Sequence, residues 1–292
     1  MTMNSPNQAW TTRRLLNWTT QRFEDRHMDH ARLCAEMLLA HVLGVQRIKL
    51  YMDMDRPASD LERAAFRDLV ERASKDEPVD YLVGHTPFYG LMFKVTSAVL
   101  VPRPSTETII DHVIQHSRAT PGFANPVIAD IGTGSGIIAV TLAKNLPDAH
   151  IVATDISDEA LSIAKENAQK MGVGDRIEFH LGDLLEPVLK HRFEYIISNP
   201  PYIPDHEWEA VEPNVKNYEP HGALRGGVDG LDCIRILIAQ AKKVASDPCQ
   251  LLIEFATSTK LQVLDLATQH GWKNPHVLAD HEKLDRILVA DA

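Results

Sequence analysis

The chain has 292 residues, of which 44% are hydrophobic and 24% charged, enough for one large α/β domain and a smaller one. No apolar run approaches the roughly 20 residues that span a bilayer, and the polar start lacks a secretory signal, so we expect a cytoplasmic protein. The three cysteines lie far apart, which argues against a disulfide framework and against a zinc knuckle.

The net charge of −10 is unevenly distributed along the chain. Residues 1–84 carry 12 Lys and Arg against 13 Asp and Glu, a net charge of −1, which leaves −9 for the remainder. An acidic larger domain argues against binding to a phosphate backbone as the main source of affinity.

The first part of the chain is predicted to be helical. From Ala31 to Val45 apolar side chains recur at helical spacing, and Gly44 is a typical stop signal. Another helix is predicted to begin after Ser59, which would cap its first turn with Glu62 three residues later. We therefore expect residues 1–84 to form a helical bundle that docks the substrate, the alternative being a structural cap.

The rest of the chain is predicted to be an α/β fold. Apolar residues separated by glycine and proline in residues 85–104 indicate a β-hairpin that joins the bundle to the next domain. Residues 105–292 alternate between strands and helices, which implies a doubly wound parallel sheet. The long polar loop from Pro204 to Asp232 is predicted to be a substrate lid. Strands are expected at Val127–Ile131, His150–Asp155, Arg176–His180, Tyr195–Ser198, Leu251–Phe255 and Ile287–Ala290, and helices at Thr106–His116, Gly136–Asn145, Ser157–Met171 and Ile234–Val244.

Candidate binding groups follow the first four strands of this predicted sheet, at the edge where doubly wound sheets bind ligands. The glycines from Gly132 to Gly136 allow the backbone to approach a ligand, although Ile137 breaks the usual dinucleotide-binding spacing. Asp155 ends the second strand, where it could accept hydrogen bonds from two ribose hydroxyls. Asp183 follows the third strand, where it could accept from an adenine amino group. One glycine loop is weak evidence, but this ordered series, completed by Asn199, is a specific signal.

The fourth strand ends in an unusual corner, Asn199-Pro200-Pro201-Tyr202. The residue before a proline stays extended, and a proline keeps its carbonyl acceptor while lacking an N–H donor. Such a corner suits a neutral amino group, because the Asn199 side-chain oxygen and a proline carbonyl can receive its two protons. The alternative is a plain strand terminator with a packed tyrosine.

This series resembles the class I methyltransferases that use S-adenosylmethionine, and within them the HemK family of protein glutamine N5-methyltransferases. The resemblance extends over nearly the whole chain, including the helical N-terminal part. It is carried by Pro102-Arg103-Pro104, Asp130 to Gly136, Asn199 to Tyr202, Tyr218-Glu219-Pro220 and Gly226 to Asp232.

The resemblance implies a class I methyltransferase domain, S-adenosylmethionine as cofactor, and a peptide-chain release factor as partner, methylated on the glutamine of its Gly-Gly-Gln motif. It also implies a role for each matching residue. The cofactor would be bound by Gly132, Thr133, Gly134, Ser135, Gly136, Asp155, Asp183, Leu184 and Asn199, and the glutamine by Asn199, Pro200, Pro201 and Tyr202, with Asn199 and Pro200 as the catalytic pair.

Three segments depart from the family pattern. Ser105 stands where a glutamate usually follows Pro-Arg-Pro, and Ala256 replaces the glycine of a Glu-Ile-Gly sequence. A glycine-containing turn near the end is replaced by His281 to Arg286. None of these lies in the cofactor series, so the departures bear on the choice of protein substrate rather than on methyl transfer.

Other functions compete with this interpretation. The same corner could hold an exocyclic amine of a nucleic acid, with Tyr202 stacked on a flipped base, although the acidic larger domain argues against it. A glutamine of a ribosomal protein, or nucleotide binding without catalysis, are further alternatives. His112 and His116 are spaced to lie on one face of a helix, which we interpret as a solvated face. No third ligand is evident in the sequence, so no metal is expected. Ser135 does not lie in a hydrolase nucleophile elbow.

Overall fold

The structure, a computed structural model, describes residues 9–292, so the first eight residues of the predicted bundle lie outside the described residues. The chain divides into two compact units. The first extends to Gly84 and includes Pro213–Tyr218, and the second comprises His85–Glu212 and Glu219–Ala292. The predicted connecting hairpin therefore belongs to the second unit.

Helices make up the first unit, and strands alternate with helices in the second. The helices are α1 (Thr12–Glu24), α2 (Ala31–Leu43), α3 (Arg47–Leu50), α4 (Asp60–Ala73), α5 (Val79–Val83), α6 (Glu107–Ala119), α7 (Ile137–Asn145), α8 (Asp158–Lys170), α9 (Pro213–Tyr218), α10 (Asp232–Val244) and α11 (Lys260–Gln269). The strands are β1 (His85–Phe88), β2 (Leu91–Lys94), β3 (Val127–Ile131), β4 (His150–Asp155), β5 (Ile177–Leu181), β6 (Phe193–Ser198), β7 (Ala245–Glu254), β8 (Lys273–Ala279) and β9 (Asp285–Asp291).

Two helix boundaries of the first unit confirm the sequence signals. Gly44 ends α2 in the left-handed conformation at φ +62°. Ser59 and Glu62 form a capping box at the start of α4, each side chain accepting a hydrogen bond from the other residue's backbone N–H. The helices pack around buried side chains that include Leu16, Phe23, Leu38 and Phe66. None of the described helices has both the length and the apolar composition that a membrane span requires.

The second unit contains a seven-stranded sheet in the order β5-β4-β3-β6-β7-β9-β8. The first five strands in this order are parallel, and β9 runs antiparallel to both of its neighbours. Helices cover both faces: α6 and α7 contribute to one apolar core cluster, and α10 and α11 to the other. The class I doubly wound fold is thus confirmed, with a mixed rather than wholly parallel sheet.

Three details of the second unit correct the sequence predictions. Neither α11 nor β8 was predicted, and the predicted loop from Pro204 to Asp232 contains the short helix α9. The predicted hairpin ends early, because β2 stops at Lys94. Val99 and Val101 are buried nevertheless, and the Val101 N–H donates to the Glu219 carboxylate instead of to a neighbouring strand. The alternating apolar residues after Lys94 are therefore buried residues of an irregular segment, not of a strand.

The order of the strands creates a position for a ligand. The chain winds from β3 through β4 to β5 at one edge of the sheet, and then returns to place β6 on the other side of β3. The connections after β3 and β6 therefore diverge to opposite faces, which opens a crevice at the C-terminal ends of these two strands.

Candidate active site

A cavity of about 510 Å³ lies at this crevice, entirely within the second unit. It is bounded by the segments that follow β3, β4, β5 and β6, together with Ser97 to Arg103. Most of the predicted site residues meet there, whereas Gly136 and Tyr202 do not line the cavity. The predicted residues that line it are Gly132, Thr133, Gly134, Ser135, Asp155, Asp183, Leu184, Asn199, Pro200 and Pro201.

The glycines after β3 differ in what they contact. Gly132 and Gly134 have φ of +71° and +55°, and a Cβ added to either would meet no atom within 4 Å. Gly136, at φ +82°, is packed against α8, because a Cβ there would lie 3.1 Å from Ala164 Cβ. The first two glycines therefore keep backbone open at the loop, and the third permits close helix packing.

Asp155 is held by the backbone on both of its carboxylate oxygens. The Gly134 N–H donates to Oδ2 at 2.8 Å, and the Ser157 N–H donates to Oδ1 at 2.9 Å. Each oxygen can accept more than one hydrogen bond, so both retain capacity for further donors. The bond to Gly134 also ties the loop after β3 to the end of β4.

Asp130 is a fully buried carboxyl at the base of the glycine loop. Its Oδ2 accepts from Thr133 Oγ1 at 2.6 Å and from the Ala139 N–H at 3.0 Å. Its Oδ1 is buried and has no hydrogen-bond partner among the described residues. Burial raises the pKa of Asp130 to about 6, against the opposing effect of these two donors.

The two residues proposed for the adenine region follow β5. Leu184 adopts φ +45°, an unusual conformation for a residue with a side chain, and its carbonyl accepts from Thr154 Oγ1 at 2.8 Å. The next N–H, of Leu185, donates to Gln240 Oε1 at 3.2 Å. Asp183 is exposed at the rim of the cavity. The backbone here is therefore anchored, with one carboxylate left accessible.

Asn199 follows the end of β6, and its side-chain amide is anchored on one side only. Its Nδ2 donates to Thr106 Oγ1 at 3.2 Å, whereas Oδ1 has no donor among residues 9–292. None of the described backbone N–H groups donates to the Pro200 carbonyl either. Two acceptors at one cavity wall thus remain free, as the corner chemistry requires.

A buried carboxylate, Glu254, lies behind the corner formed by Asn199 to Tyr202. The sequence patterns did not indicate that Glu254 contacts this corner. Glu254 accepts hydrogen bonds from Ser105, Thr106 and Tyr202. Burial raises the pKa of Glu254, and its three hydroxyl donors and Arg286 act in the opposite direction. Burial also raises the pKa of Tyr202, whose hydroxyl faces this carboxylate. The sequence signal for Glu254 was its place as the glutamate of the Glu-Ile-Gly pattern, near the end of a predicted apolar strand.

Two of the segments that carry the resemblance meet through an ion pair. Arg103 donates to Glu219 Oε1 at 2.7 Å, and the Glu219 side chain is 1% exposed. The Val101 N–H donates to the other carboxylate oxygen at 3.1 Å. Arg103 and Pro220 both line the cavity. The pair thereby fixes two stretches of its wall that are more than 100 residues apart in sequence.

Two family models and several known proteins resemble this chain. Residues 14–84 match the family model described as the PrmC N-terminal domain, and residues 106–224 match the methyltransferase small domain. The release factor glutamine methyltransferase of Geobacter sulfurreducens is 38% identical over 286 residues, covering 98% of each chain. That of Rhodopirellula baltica is 40% identical over 293 residues, covering 99% of this chain and 98% of its own. The chain belongs to the release factor glutamine methyltransferase family.

A solved structure agrees on the fold of this methyltransferase. The catalytic domain of hMettl16, determined in complex with the MAT2A 3'UTR hairpin 6, aligns with a TM-score of 0.55 at 17% identity. The alignment covers 69% of this chain and 76% of that one. At this level of identity the likeness concerns the fold alone.

The structure accounts for two of the departures from the family pattern. Ser105 donates to Glu254 Oε1 at 2.9 Å, so this residue joins the network behind Asn199. In the turn from His281 to Arg286, Lys283 takes the left-handed conformation at φ +64° that a glycine would favour. The turn is closed by Asp280, whose N–H donates to the Leu284 carbonyl at 2.9 Å.

The histidine pair on α6 is engaged with the sheet, so its interpretation as a solvated helix face is wrong. His112 Nε2 lies 3.1 Å from Gln250 Oε1, and His116 Nδ1 lies 2.7 Å from the Tyr195 hydroxyl. Burial lowers the pKa of both histidines. These contacts identify the pair as part of the packing between α6 and the sheet.

Proposed function

We propose that this methyltransferase transfers a methyl group from S-adenosylmethionine to the side-chain amide nitrogen, N5, of a glutamine in a peptide-chain release factor. The observation that carries the proposal is the pattern of hydrogen bonds at the Asn199 side chain. Its Nδ2 is committed to Thr106, while Oδ1 and the neighbouring Pro200 carbonyl are both free to accept protons from an amide N–H₂ group.

The residues around the cavity fit the cofactor. Open backbone at Gly132 and Gly134 provides a cradle that a Cβ would fill. Asp155 presents two backbone-anchored carboxylate oxygens, which suit the two hydroxyls of a ribose. Leu184 and the exposed carboxylate of Asp183 suit the adenine. We assign these residues, with Thr133 and Ser135 of the loop, to cofactor binding. When bound, S-adenosylmethionine supplies a methyl group on a positively charged sulfur, already activated for transfer.

The task of the protein is then to activate the amide nitrogen. An amide nitrogen is a poor nucleophile, because its lone pair is delocalised into the carbonyl. Asn199 Oδ1 and the Pro200 carbonyl accept its two N–H protons, which turns the lone pair toward the methyl group and stabilises positive charge developing on nitrogen. Pro201 stiffens this corner. No charged base is needed before transfer, and the surplus proton leaves to solvent afterwards.

The identity of the substrate is tested by labelling. Incubation with methyl-labelled S-adenosylmethionine and a release factor should label the factor, with a mass increase of about 14 Da on one glutamine, the mass of a CH₂ group. Replacing the glutamine of the Gly-Gly-Gln motif by Asn should abolish the label. Label that persists in this variant would refute the assigned site, and label found only in added RNA or DNA would favour the nucleic-acid alternative.

We assign docking of the release factor to the helical first unit. The support is an exposed apolar surface around α3, where Ile48 is 67% and Met52 80% exposed, beside the half-exposed Tyr51. Met52→Asp should raise KM for the intact release factor but leave KM for a short Gly-Gly-Gln peptide unchanged. The same substitution at Leu61, exposed on α4, is the control. Equal KM for the factor in all three proteins would remove this assignment. The cytoplasmic location expected from the sequence stays a prediction.

A further inference from the structure

Glu254 is a fully buried carboxylate that no step of the proposed reaction uses directly. Ser198 at the end of β6 pairs with Ile253 of β7. The next residues along these two neighbouring strands are Asn199 and Glu254, which therefore lie side by side. A buried carboxylate requires strong hydrogen-bond donors to remain in place.

Among residues 9–292, the donors to Glu254 are three hydroxyl groups. Thr106 donates to Oε2 at 2.7 Å, and Ser105 and Tyr202 donate to Oε1 at 2.9 and 3.2 Å. Thr106 precedes the first residue of α6, but its hydroxyl does not cap that helix. The side chain is directed to Glu254 instead.

The direction of the hydrogen bond from Thr106 to Glu254 determines the direction of the hydrogen bond between Thr106 and Asn199. A hydroxyl has a single hydrogen, and the hydrogen of Thr106 is donated to Glu254. The oxygen of Thr106 can therefore act only as an acceptor toward Asn199, and only the Nδ2 end of the carboxamide can face it. The Oδ1 end must then point away from Thr106, which leaves it available as an acceptor.

We propose that Glu254 is a positioning residue, which acts through the Thr106 hydroxyl to hold the Asn199 carboxamide with Oδ1 free for the substrate amide. Both Glu254 oxygens accept hydroxyl hydrogens, so the donors run in one direction, from Asn199 Nδ2 to Thr106 and from Thr106 to Glu254. With this constraint removed, the carboxamide can turn by about 180° and present its N–H₂ group, which would face the N–H₂ group of the glutamine donor to donor. The inference rests on the proposed function of Asn199 and explains how that residue is prepared.

Thr106→Val tests the relay, since it removes the hydroxyl while keeping a branched side chain. We expect kcat to fall by about 10- to 100-fold, the range known for hydrogen-bond partners that orient metal ligands, while the Kd of S-adenosylmethionine and the KM of the release factor change by less than about threefold. Thr106→Ser, which keeps the hydroxyl, should restore kcat. Thr108→Val is the matched control, because Thr108 lies in the first turn of α6, two residues after Thr106, and its buried hydroxyl has no partner among the described residues.

Glu254→Gln tests whether the carboxylate fixes the direction of the hydrogen bonds from Asn199 through Thr106. A glutamine has one acceptor oxygen where the carboxylate uses two, so the polarity of the chain is no longer imposed and kcat should fall by about 10-fold. In the Thr106→Val background the same substitution should have no further effect on kcat, because the relay is already broken. Independent, multiplicative effects of the two substitutions would show that Glu254 does not act through Thr106.

Neutron diffraction provides a readout that does not depend on the substrate. In the parent protein and in Thr106→Ser, the deuterons of Asn199 should lie on the side of residue 106, and in Thr106→Val both orientations should be present. One unchanged orientation in Thr106→Val, or an unchanged kcat, would overturn the inference and leave the proposed function intact. A parent enzyme that fails to methylate release factor would instead refute the proposed function, and the neutron result would still decide whether the Thr106 hydroxyl orients Asn199.

Discussion

The backbone N–H of Gly134 donates a 2.8 Å hydrogen bond to Oδ2 of Asp155, which joins the glycine loop after β3 to the end of β4. This contact makes one binding surface out of two segments that the sequence alone places only at the same edge of the sheet. It also orients the carboxylate, so the rigidity of the loop is coupled to the ribose contact that we propose for Asp155.

Asp155→Asn should weaken cofactor binding. The substitution removes the charge and sets an N–H₂ group against one of two backbone donors, so a loss of about 1.5–3 kcal/mol is expected, or about 10- to 150-fold in Kd. Isothermal titration with S-adenosylmethionine measures the effect. Asp158→Asn, an exposed position outside the cavity in the first turn of α8, serves as the control. Equal Kd values for the two variants would show that Asp155 does not bind the cofactor.

Asn199→Ala should separate binding from turnover. Loss of an acceptor aimed at developing charge is expected to lower kcat by about 10²- to 10³-fold, whereas the Kd of S-adenosylmethionine should change by less than about 10-fold because Asp155 and the glycine loop remain. Single-turnover assays and titration give the two quantities. Asn145→Ala, at the end of α7 and outside the cavity, should match the parent enzyme. A parent protein that binds the cofactor but never turns over would point to a binding module instead.

The glycines of the loop should respond differently to alanine. Gly136→Ala adds a Cβ 3.1 Å from Ala164 Cβ at a residue with φ +82°, so it should lower the free energy of unfolding by about 3 kcal/mol. Gly132→Ala meets no atom within 4 Å and carries only the backbone strain of φ +71°, about 1 kcal/mol. Urea unfolding of both variants tests this order. Equal losses would mean that packing against α8 is not what requires a glycine at position 136.

Asp130 should make stability depend on pH in a narrow range. Burial raises its pKa to about 6, so the folded protein holds this proton more tightly than the unfolded chain, whose pKa is about 3.9. The contribution of Asp130 to the free energy of unfolding is full below about pH 4 and is lost as the pH rises to about 6, a change of about 3 kcal/mol. Above that range it is constant.

Asp130→Asn isolates this effect, because it removes the titration. Urea unfolding between pH 4 and 8 should show the variant gaining about 3 kcal/mol relative to the parent protein as the pH rises to about 6, with no further gain above. Asp148→Asn, at an exposed position, controls for general effects of charge. A difference between Asp130→Asn and the parent that does not vary with pH would contradict the raised pKa.

Much of the fold was predictable because it depends on local patterns. The strands at Val127–Ile131 and His150–Asp155 have the predicted boundaries, since buried parallel strands are short apolar runs with polar residues at their ends. The edge strand β8 was not predicted. β8 is exposed at the edge of the sheet and contains a proline, so it lacks the apolar run that revealed the central strands.

The sequence by itself determined the order of the strand ends and the kinds of side chain placed there: a glycine loop, then Asp155, Asp183 and Asn199. These follow from chain order and residue chemistry. Only the tertiary structure decided which contacts orient the side chains of these residues. Asn199 depends on Thr106 and Glu254, which are 93 and 55 positions away in the chain, and a hydrogen-bond relay between such distant residues leaves no periodic trace in the sequence. Its polarity arises because a buried carboxylate accepts and a hydroxyl has one hydrogen to donate.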